Sequence, residues 1–451
     1  MKEKEIVRGF SRLSKSEKLA FVAGLTENPE SFARELTSYY YPDAEKQKVF
    51  DEFSENTISN FIFPYGVAPN FLIDGRVYHV PMVIEESSVV AAASNSAKFW
   101  STHGGFHTEI ISTTKVGQVH FLWPGNIEKL RSLMPDLESR LRAATDSITA
   151  NMRKRGGGIL GIELVDMTDS IEQYYQLKAT FETVDSMGAN FINSCLEEFA
   201  TELRKFFAES PYFSEEERQV EVIMSILSNY TPECLIRTWV TCPVEELNEL
   251  DDELSGEQFA WKFQKAVDIA TVDVYRATTH NKGIFNGIDA VVLATGNDFR
   301  AVEACGHAYA ARDGKYKSLT RVQVENGIFH YELVVPISLG TVGGLTSLHP
   351  LVRRSLELLG NPGARELMRI AASVGLANNF GAVKSLITKG IQKGHMKMHL
   401  LNILNQLGAT EQEKALAKAF FEQVKVSFNA VAQFLDGLRN PSKKKPVYIS
   451  K

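Results

Sequence analysis

The sequence predicts an α+β fold: a mostly helical body interrupted by a compact α+β insert at 114–217. Three observations lead there. Helical patterns dominate at 12–55 and again from 218 to about 388. Between 107 and 207, strand-like segments alternate with helical ones. Within that insert, "FINSCLEEFATELRKFF" (191–207) places Ile192, Cys195, Leu196, Phe199, Leu203 and Phe206 on one stripe at helical spacing. A chain of 451 residues has room for two or three domains and a large core.

Taken in order, residues 12–55 read as helices with polar connections. "FIFPYGVAPNFLIDGRVYHVPMVI" (61–84) is rich in β-branched and aromatic residues and reads as strands with a turn at "IDGR". "EESSVVAAASNSAKFWST" (85–102) reads as a helix whose Ala/Ser face lets another backbone approach closely, ended by "HGGF". "HTEIISTTKVGQVHFLW" (107–123) returns to strand character, and 126–155 is largely helical with a basic end. "GGGILGIELVDM" leads into a strand, and "QYYQLKATFETV" (173–184) is another. One more strand is expected near 330–339. Gly390 and Gly394 isolate a last helical piece, read as a mobile C-terminal segment.

Composition excludes several classes. A net charge of −6 argues against nucleic acid as a partner. No apolar run reaches the ~18 residues that span a bilayer, and the charged start "MKEKEIVRGFSRLSKSEK" lacks a signal-peptide core. Cys195, Cys234, Cys242 and Cys305 form no CxxC pair and read as free thiols in a cytoplasmic protein.

Each motif admits a bland reading beside a chemical one. "GGGILG" (156–161) matches GxGxxG formally, but a helix precedes it and a strand follows, so the Rossmann reading fails. "VDSMGAN" lies between a strand and a helix; it is either a polar-capped loop or a pyrophosphate site at a helix start. Glu85 suits the helix dipole, whereas Glu86, beside small apolar residues, is either a dipole partner or a buried acid of raised pKa. Lys282, set among small and apolar residues in "HNKGIF", is read as a buried cation. Asp298 is an N-cap or its counter-charge. His395 and His399 stand at i, i+4 without a third ligand, which is weak ground for a metal site, and "HGGFH" (103–107) is weaker still.

Together these segments resemble the hydroxymethylglutaryl-CoA (HMG-CoA) reductase family, specifically its class II, bacterial type. The family pattern runs from about 9 to 405 through "GRVYHVPMVIEESSVVAAAS", "VDSMGAN", "VYRATTHNKGIFNGIDAVVLATGNDFRAVEA", "VGGLTSLHPL", "VGLANNFGAV" and "GIQKGHM". The resemblance implies a large, mostly helical domain (1–113 and 218–389) split by a small ferredoxin-like dinucleotide-binding domain (114–217), with a C-terminal flap (390–451). It implies a cytoplasmic homodimer with active sites at the subunit interface, and no membrane partner. It also implies a catalytic set of Glu86, Lys282, Asp298 and His395. Ser88, Arg276 and Asn286 would contact the hydroxymethylglutaryl portion, and Asp185, Met187, Gly188, Ala189 and Asn190 would form the dinucleotide loop.

The implied reaction is the four-electron reduction of HMG-CoA to mevalonate and free coenzyme A by two nicotinamide hydrides, without a metal. Run backwards it oxidises mevalonate. Two other readings stand beside it: an inactive CoA- or dinucleotide-binding homologue, against which the intact catalytic set argues, and a thiolase or lyase, which needs a nucleophilic Cys or a metal cluster. In NAD-preferring relatives an acidic residue lies seven positions before the glycine triplet. An ungapped count gives Thr149 here, with Arg153, Lys154 and Arg155 just after it. NADPH is therefore expected ahead of NADH, since arginine binds phosphate in a bidentate way; the bland reading is that the three cations cap a helix C-terminus.

Overall fold

The computed structural model describes residues 6–388, 400–421, 424 and 426–440. Three short helices open the chain: α1 (Lys15–Ala23), α2 (Pro29–Ser38) and α3 (Ala44–Asp51). Each starts on a side chain that accepts backbone N–H groups: Ser14 in a capping box with Glu17, Asn28 ahead of Pro29, and Asp43. β1 (Tyr65–Ile73) and β2 (Arg76–Val83) form the expected hairpin. Its turn has Asp74 at φ 47° and Gly75 at φ 82°. Positive φ at both central residues matches the twist of the flanking strands.

The body is built around α4 (Val89–Ser101), α8 (Gly256–Val272), α9 (Val274–Ala294) and α13 (Ala364–Ile387). Ala93, Ser96 and Ala97 on the small-residue face of α4 are buried against α13. Asn378 on α13 donates to the carbonyl of Val89 at 3.1 Å. α9 and α13 approach more closely still: a Cβ on Gly287 would lie 2.6 Å from the carbonyl oxygen of Val374. Only glycine permits that contact, so Gly287 fixes the depth at which α9 sits. Among the described residues α13 alone is long and apolar enough to cross a membrane, with a mean hydropathy of 1.2 over its best window. Its longest stretch without a charged residue, 370–383, is shorter than the ~18 residues of an uninterrupted apolar run. The window is 67% buried in the fold, as the central helix of a core.

A four-stranded antiparallel sheet covers these helices in the order β3-β8-β10-β9 (His107–Ile110, Leu235–Pro243, Ile328–Pro336, Thr320–Glu325). Of these, β8 and β9 lie in a stretch read as helical. β8 alternates half-buried and buried residues along its length, which is the period of a strand with one covered face. Trp100, Phe259, Phe263, Phe329, Tyr331 and Phe380 fill the space between sheet and helices.

The second unit follows the succession β4 (Lys115–Leu122), α5 (Ile127–Ala144), α6 (Asp146–Lys154), β5 (Gly158–Asp166), β6 (Tyr174–Glu182), α7 (Ala189–Glu209), β7 (Glu221–Leu227). Its antiparallel sheet has the order β5-β6-β4-β7, the pattern of a split β-α-β motif. β7 lies beyond 217, so the sheet extends past the end expected for the insert. All six residues of the expected stripe on α7 are buried. They meet Phe121, Trp123, Leu137 and Phe181 in a separate core. Helices α10 (Phe299–Ala310), α11 (Leu345–Leu348) and α12 (Pro350–Leu358) complete the body. Two further helices, Glu411–Phe420 and Phe428–Arg439, pack with Leu400 and Leu404 in a small cluster of their own. The hinge glycines Gly390 and Gly394 lie outside the described residues.

Candidate active site

α9 begins on Asp273, whose carboxylate accepts from the N–H of Tyr275 at 3.0 Å. Four residues apart on one face stand Lys282 and Asn286, and opposite them lies the turn 85–88 that joins β2 to α4. The Lys282 ammonium donates to Glu86 Oε2. Asn286 Nδ2 lies 3.5 Å from the same oxygen. The expectation of a buried lysine is wrong for this chain: the Lys282 side chain is 57% exposed and that of Glu86 45%. The neighbours of Lys282 in sequence, Asn281, Gly283 and Ile284, are indeed buried. A helix turns about 100° per residue, so position 282 shares its face with exposed Thr278 and half-buried Asn286, not with the residues beside it.

Ser88 adopts φ 76°, a left-handed conformation uncommon outside glycine. Its side chain makes no cap bond to α4. Arg276, six residues before Lys282, is half-buried. Burial lowers its pKa, opposed by nearby Tyr331. It has no hydrogen-bond or carboxylate partner among the described residues, which leaves a desolvated guanidinium fork open to an anion.

Asp298 is placed elsewhere. It caps α10, accepting from the N–H groups of Arg300 at 3.1 Å and Ala301 at 3.2 Å. The Arg300 side chain adds a contact at 3.3 Å. Partial burial acts to raise its pKa, but the Arg300 guanidinium and these N–H donors outweigh it and hold the carboxyl below its usual range. Asn297 N–H bonds the carbonyl of Val292 at 2.9 Å, so Asp298 is anchored ten residues along α9 from Lys282. At about 1.5 Å per residue that is ~15 Å, beyond the combined reach of the two side chains. The expected Lys282–Asp298 pair therefore does not form within one chain. Asp298 instead borders a cavity of about 120 Å³ with Lys115, Met187, Ala189, Asn229 and Ser338.

The stretch 183–190 is tightly held. Val184 has φ 54°, a real outlier for a β-branched residue. Its N–H donates to Glu182 Oε1 at 2.8 Å. Asp185 ties the turn to the body: its carbonyl accepts from Thr341 N–H at 2.8 Å and its carboxylate from Ala364 N–H at 2.7 Å. Gly188 has φ 82°, and a Cβ there would lie 2.4 Å from Thr183 Cγ2. Ala189 and Asn190 start α7 at the surface, and the first turn carries no acid. Free N–H groups at a helix start suit a phosphate.

Beside the turn lies a cavity of about 420 Å³ lined by Arg155, Thr183, Val184, Asp185, Ser186 and Val342. A turn that closes on Gly188 and a helix start, next to a cavity that Arg155 lines, together fit a dinucleotide. The three cations are not equivalent. Arg153 is engaged with Asp146 at 2.6 Å and Thr149 Oγ1 at 3.0 Å. Lys154 and Arg155 are exposed, and of the three only Arg155 lines this cavity. Thr149 is 2% exposed inside α6, so the position reached by ungapped counting cannot meet a ribose.

His395 and His399 lie outside the described residues. His103 bonds the carbonyl of Phe99 at 2.7 Å and stacks on its ring, and His107 stacks on Trp239; both are structural. Among the described residues no group of His, Cys, Asp or Glu is placed to hold a metal. Sequence reasoning passed over Lys115. Its signal was present: in "KVGQVHFL" the period of two puts it on the inward face with Gly117, Val119 and Phe121.

Comparison with known proteins places the chain among relatives of one family. A profile of the family described as hydroxymethylglutaryl-coenzyme A reductase matches residues 16–400. The chain is 35% identical over 439 residues to 3-hydroxy-3-methylglutaryl-coenzyme A reductase of Archaeoglobus fulgidus, covering 96% of this chain and 95% of that protein. It is 30% identical over 408 residues to the probable enzyme of Borreliella burgdorferi, covering 89% of each. Among solved structures it is similar to the class II reductase of Streptococcus pneumoniae (TM-score 0.68, 35% identity, 96% of this chain and 99% of that one). A second structure of that enzyme, bound to NADPH in open conformations, has a TM-score of 0.67 at 35% identity, covering 84% of this chain and 99% of that one.

Proposed function

Because the chain belongs to the hydroxymethylglutaryl-coenzyme A reductase family, and so is an NAD(P)H-dependent oxidoreductase that converts HMG-CoA to mevalonate and coenzyme A, we propose how its own residues divide that work. The observation that carries the proposal is the Lys282–Glu86 ion pair, open to solvent, with left-handed Ser88 two residues after Glu86 and, earlier on the helix that carries Lys282, an Arg276 that has no partner among the described residues. Arg276 receives the free carboxylate of the substrate through its planar fork. Ser88 and Asn286 bracket the hydroxymethyl end. The Lys282 ammonium then faces the thioester carbonyl and stabilises the oxygen as charge develops on it.

Asp185–Asn190 would hold the reduced nicotinamide cofactor, which would supply the hydride for each of the two reductions. Glu86 delivers a proton through Lys282 when the aldehyde becomes an alcohol. His395 protonates the departing coenzyme A thiolate, since an imidazole acid near pKa ~6.5 matches a thiol near ~8.5. The residues 390–451 would act as a flap that excludes water. NADPH is the preferred donor, with Arg155 meeting the 2′-phosphate.

The distance between Lys282 and Asp298 supports a homodimer with shared sites. In this reading one subunit supplies Glu86, Arg276 and Lys282 and its partner supplies Asp298 and the dinucleotide loop. Lys282, paired within one chain with Glu86, would then be desolvated and gain a second carboxylate on assembly. Exposed apolar side chains at the start of α9, with Tyr275 at 89%, fit a face that a second copy covers. The same reading includes a helical body split by the β4–β7 unit, a C-terminal flap, and a cytoplasmic location.

Subunit mixing tests this. Lys282→Ala and Asp298→Ala dimers should each be inactive in HMG-CoA-dependent NADPH oxidation. After joint unfolding and refolding, half the dimers are mixed and each has one intact site, so activity should return to about a quarter of wild type. If the mixture stays inactive, each site is built from one subunit and the reading fails.

A further inference from the structure

Lys115, the first residue of β4, is 4% exposed. Its ammonium donates to Thr183 Oγ1 and to the carbonyl of Ser186 at 2.9 Å. The Thr183 hydroxyl in turn donates to that same carbonyl at 2.6 Å. Among the described residues no carboxylate lies within ion-pair distance of Lys115. Its neighbour Glu182 is committed to the Thr113 hydroxyl and the N–H of Val184. Burial pushes the lysine's pKa down, against smaller opposing effects of Cys234 and Glu182.

An ammonium buried without a counter-ion costs several kcal/mol. A methionine would fill the same volume without that cost. What the charge does here is local. It closes the triangle Lys115–Thr183–Ser186 directly under the strained Val184 and the left-handed Gly188. On its other side the turn is clamped to the body by Asp185, Thr341 and Ala364. Lys115 also borders the cavity that holds Met187, Ala189 and Asp298. The lysine thus ties the end of β6 and the following turn to the strand that opens the β4–β7 unit, where that unit meets the body.

We propose that Lys115 is a positioning residue for the nicotinamide cofactor, holding the 183–188 turn in the conformation that receives the dinucleotide. This rests on the reading that the turn is the cofactor site. Because the turn is strained, it relaxes when its anchor is lost, and cofactor affinity falls while the substrate-binding residues on α9 stay as they are.

The experiment compares wild type, Lys115→Met, Thr183→Val and Gly188→Ala by NADPH fluorescence titration, thermal unfolding and steady-state kinetics. Lys115→Met is expected to weaken NADPH binding by about 10- to 100-fold, the range of a lost charge-assisted hydrogen bond. KM for HMG-CoA should be unchanged, and Tm equal to or above wild type because a buried charge is gone. Thr183→Val, which removes the hydroxyl of the triangle, should move NADPH affinity the same way by a smaller factor; it carries the test if Lys115→Met does not fold. If both variants bind NADPH as wild type does, the proposal is overturned. It is equally overturned if Tm and both affinities fall together, the mark of a general packing role. Gly188→Ala separates the two levels. Wild-type NADPH affinity in that variant would sink the placement of the cofactor itself, whereas a loss there without one in Lys115→Met removes only the role of Lys115.

Discussion

Two lysines are handled in opposite ways. Lys282 has its opposite charge, Glu86, and is open to solvent; Lys115 is buried and, among the described residues, has only a hydroxyl and a carbonyl. The first is cheap to maintain and free to meet a ligand. The second is costly and has no freedom at all. A cation that must stabilise transient charge needs access first and desolvation only when the ligand and partner arrive. One that shapes a backbone turn needs burial from the start. Exposure in the isolated chain is therefore no argument against a catalytic part for Lys282, nor burial an argument for one at Lys115.

The largest effect should come from the exposed lysine. Lys282→Ala should lower kcat for HMG-CoA reduction by on the order of 10²–10³-fold or more, as for loss of an oxyanion donor. The fold should be intact, since the side chain is mostly exposed. Reduction of added mevaldehyde should fall as well, because both steps develop charge on an oxygen. Near-normal mevaldehyde turnover in this variant would break the comparison.

Next in size is Arg276→Ala, expected to raise KM for HMG-CoA by about 10- to 100-fold, the loss of a charge-assisted pair. KM for NADPH should hold, in contrast to Lys115→Met. A matching rise for both substrates would show that the two regions are not separable. A smaller, selective effect is expected for His395→Gln: thioester reduction slowed, mevaldehyde reduction nearly unchanged, because only the first route releases a thiolate. Equal losses on both substrates would remove His395 as the thiol's acid.

How much of this was legible in the sequence differs between the two regions. The HNKG…GND block identified α9 and its neighbours, and the apolar stripe of α7 is buried as its spacing requires. The side of α9 on which Lys282 stands was misjudged because sequence neighbours were weighed in place of helix-face neighbours. The Lys282–Asp298 pairing failed for a different reason. Motif proximity says nothing about which copy of the chain brings two groups together, and the ~15 Å of rigid helix between them becomes visible only once α9 is known to be unbroken. β8 was hidden between strong helices, although its alternation was readable. Lys115 was missed because a lysine in a strand reads as a surface residue unless the phase of the strand is followed.

The smallest effect concerns the cations at the end of α6, and there the structure divides what the sequence left together. Arg153 already spends its guanidinium on Asp146 and Thr149, so its replacement removes a pair on the helix surface, where such contacts contribute little. Arg155 has no such partner among the described residues and lines the cavity beside Thr183–Ser186. A ribose 2′-phosphate in that cavity would meet Arg155 first. Arg155→Ala should therefore lower kcat/KM for NADPH by ~1.5–3 kcal/mol, about 10- to 100-fold, and leave NADH within about twofold. Arg153→Ala should change neither cofactor by more than about twofold. Paired measurements with NADPH and NADH on both variants decide it. A selective NADPH loss in Arg153→Ala with none in Arg155→Ala would place the phosphate on the outer face of α6, and wild-type preference for NADH would remove the 2′-phosphate contact altogether.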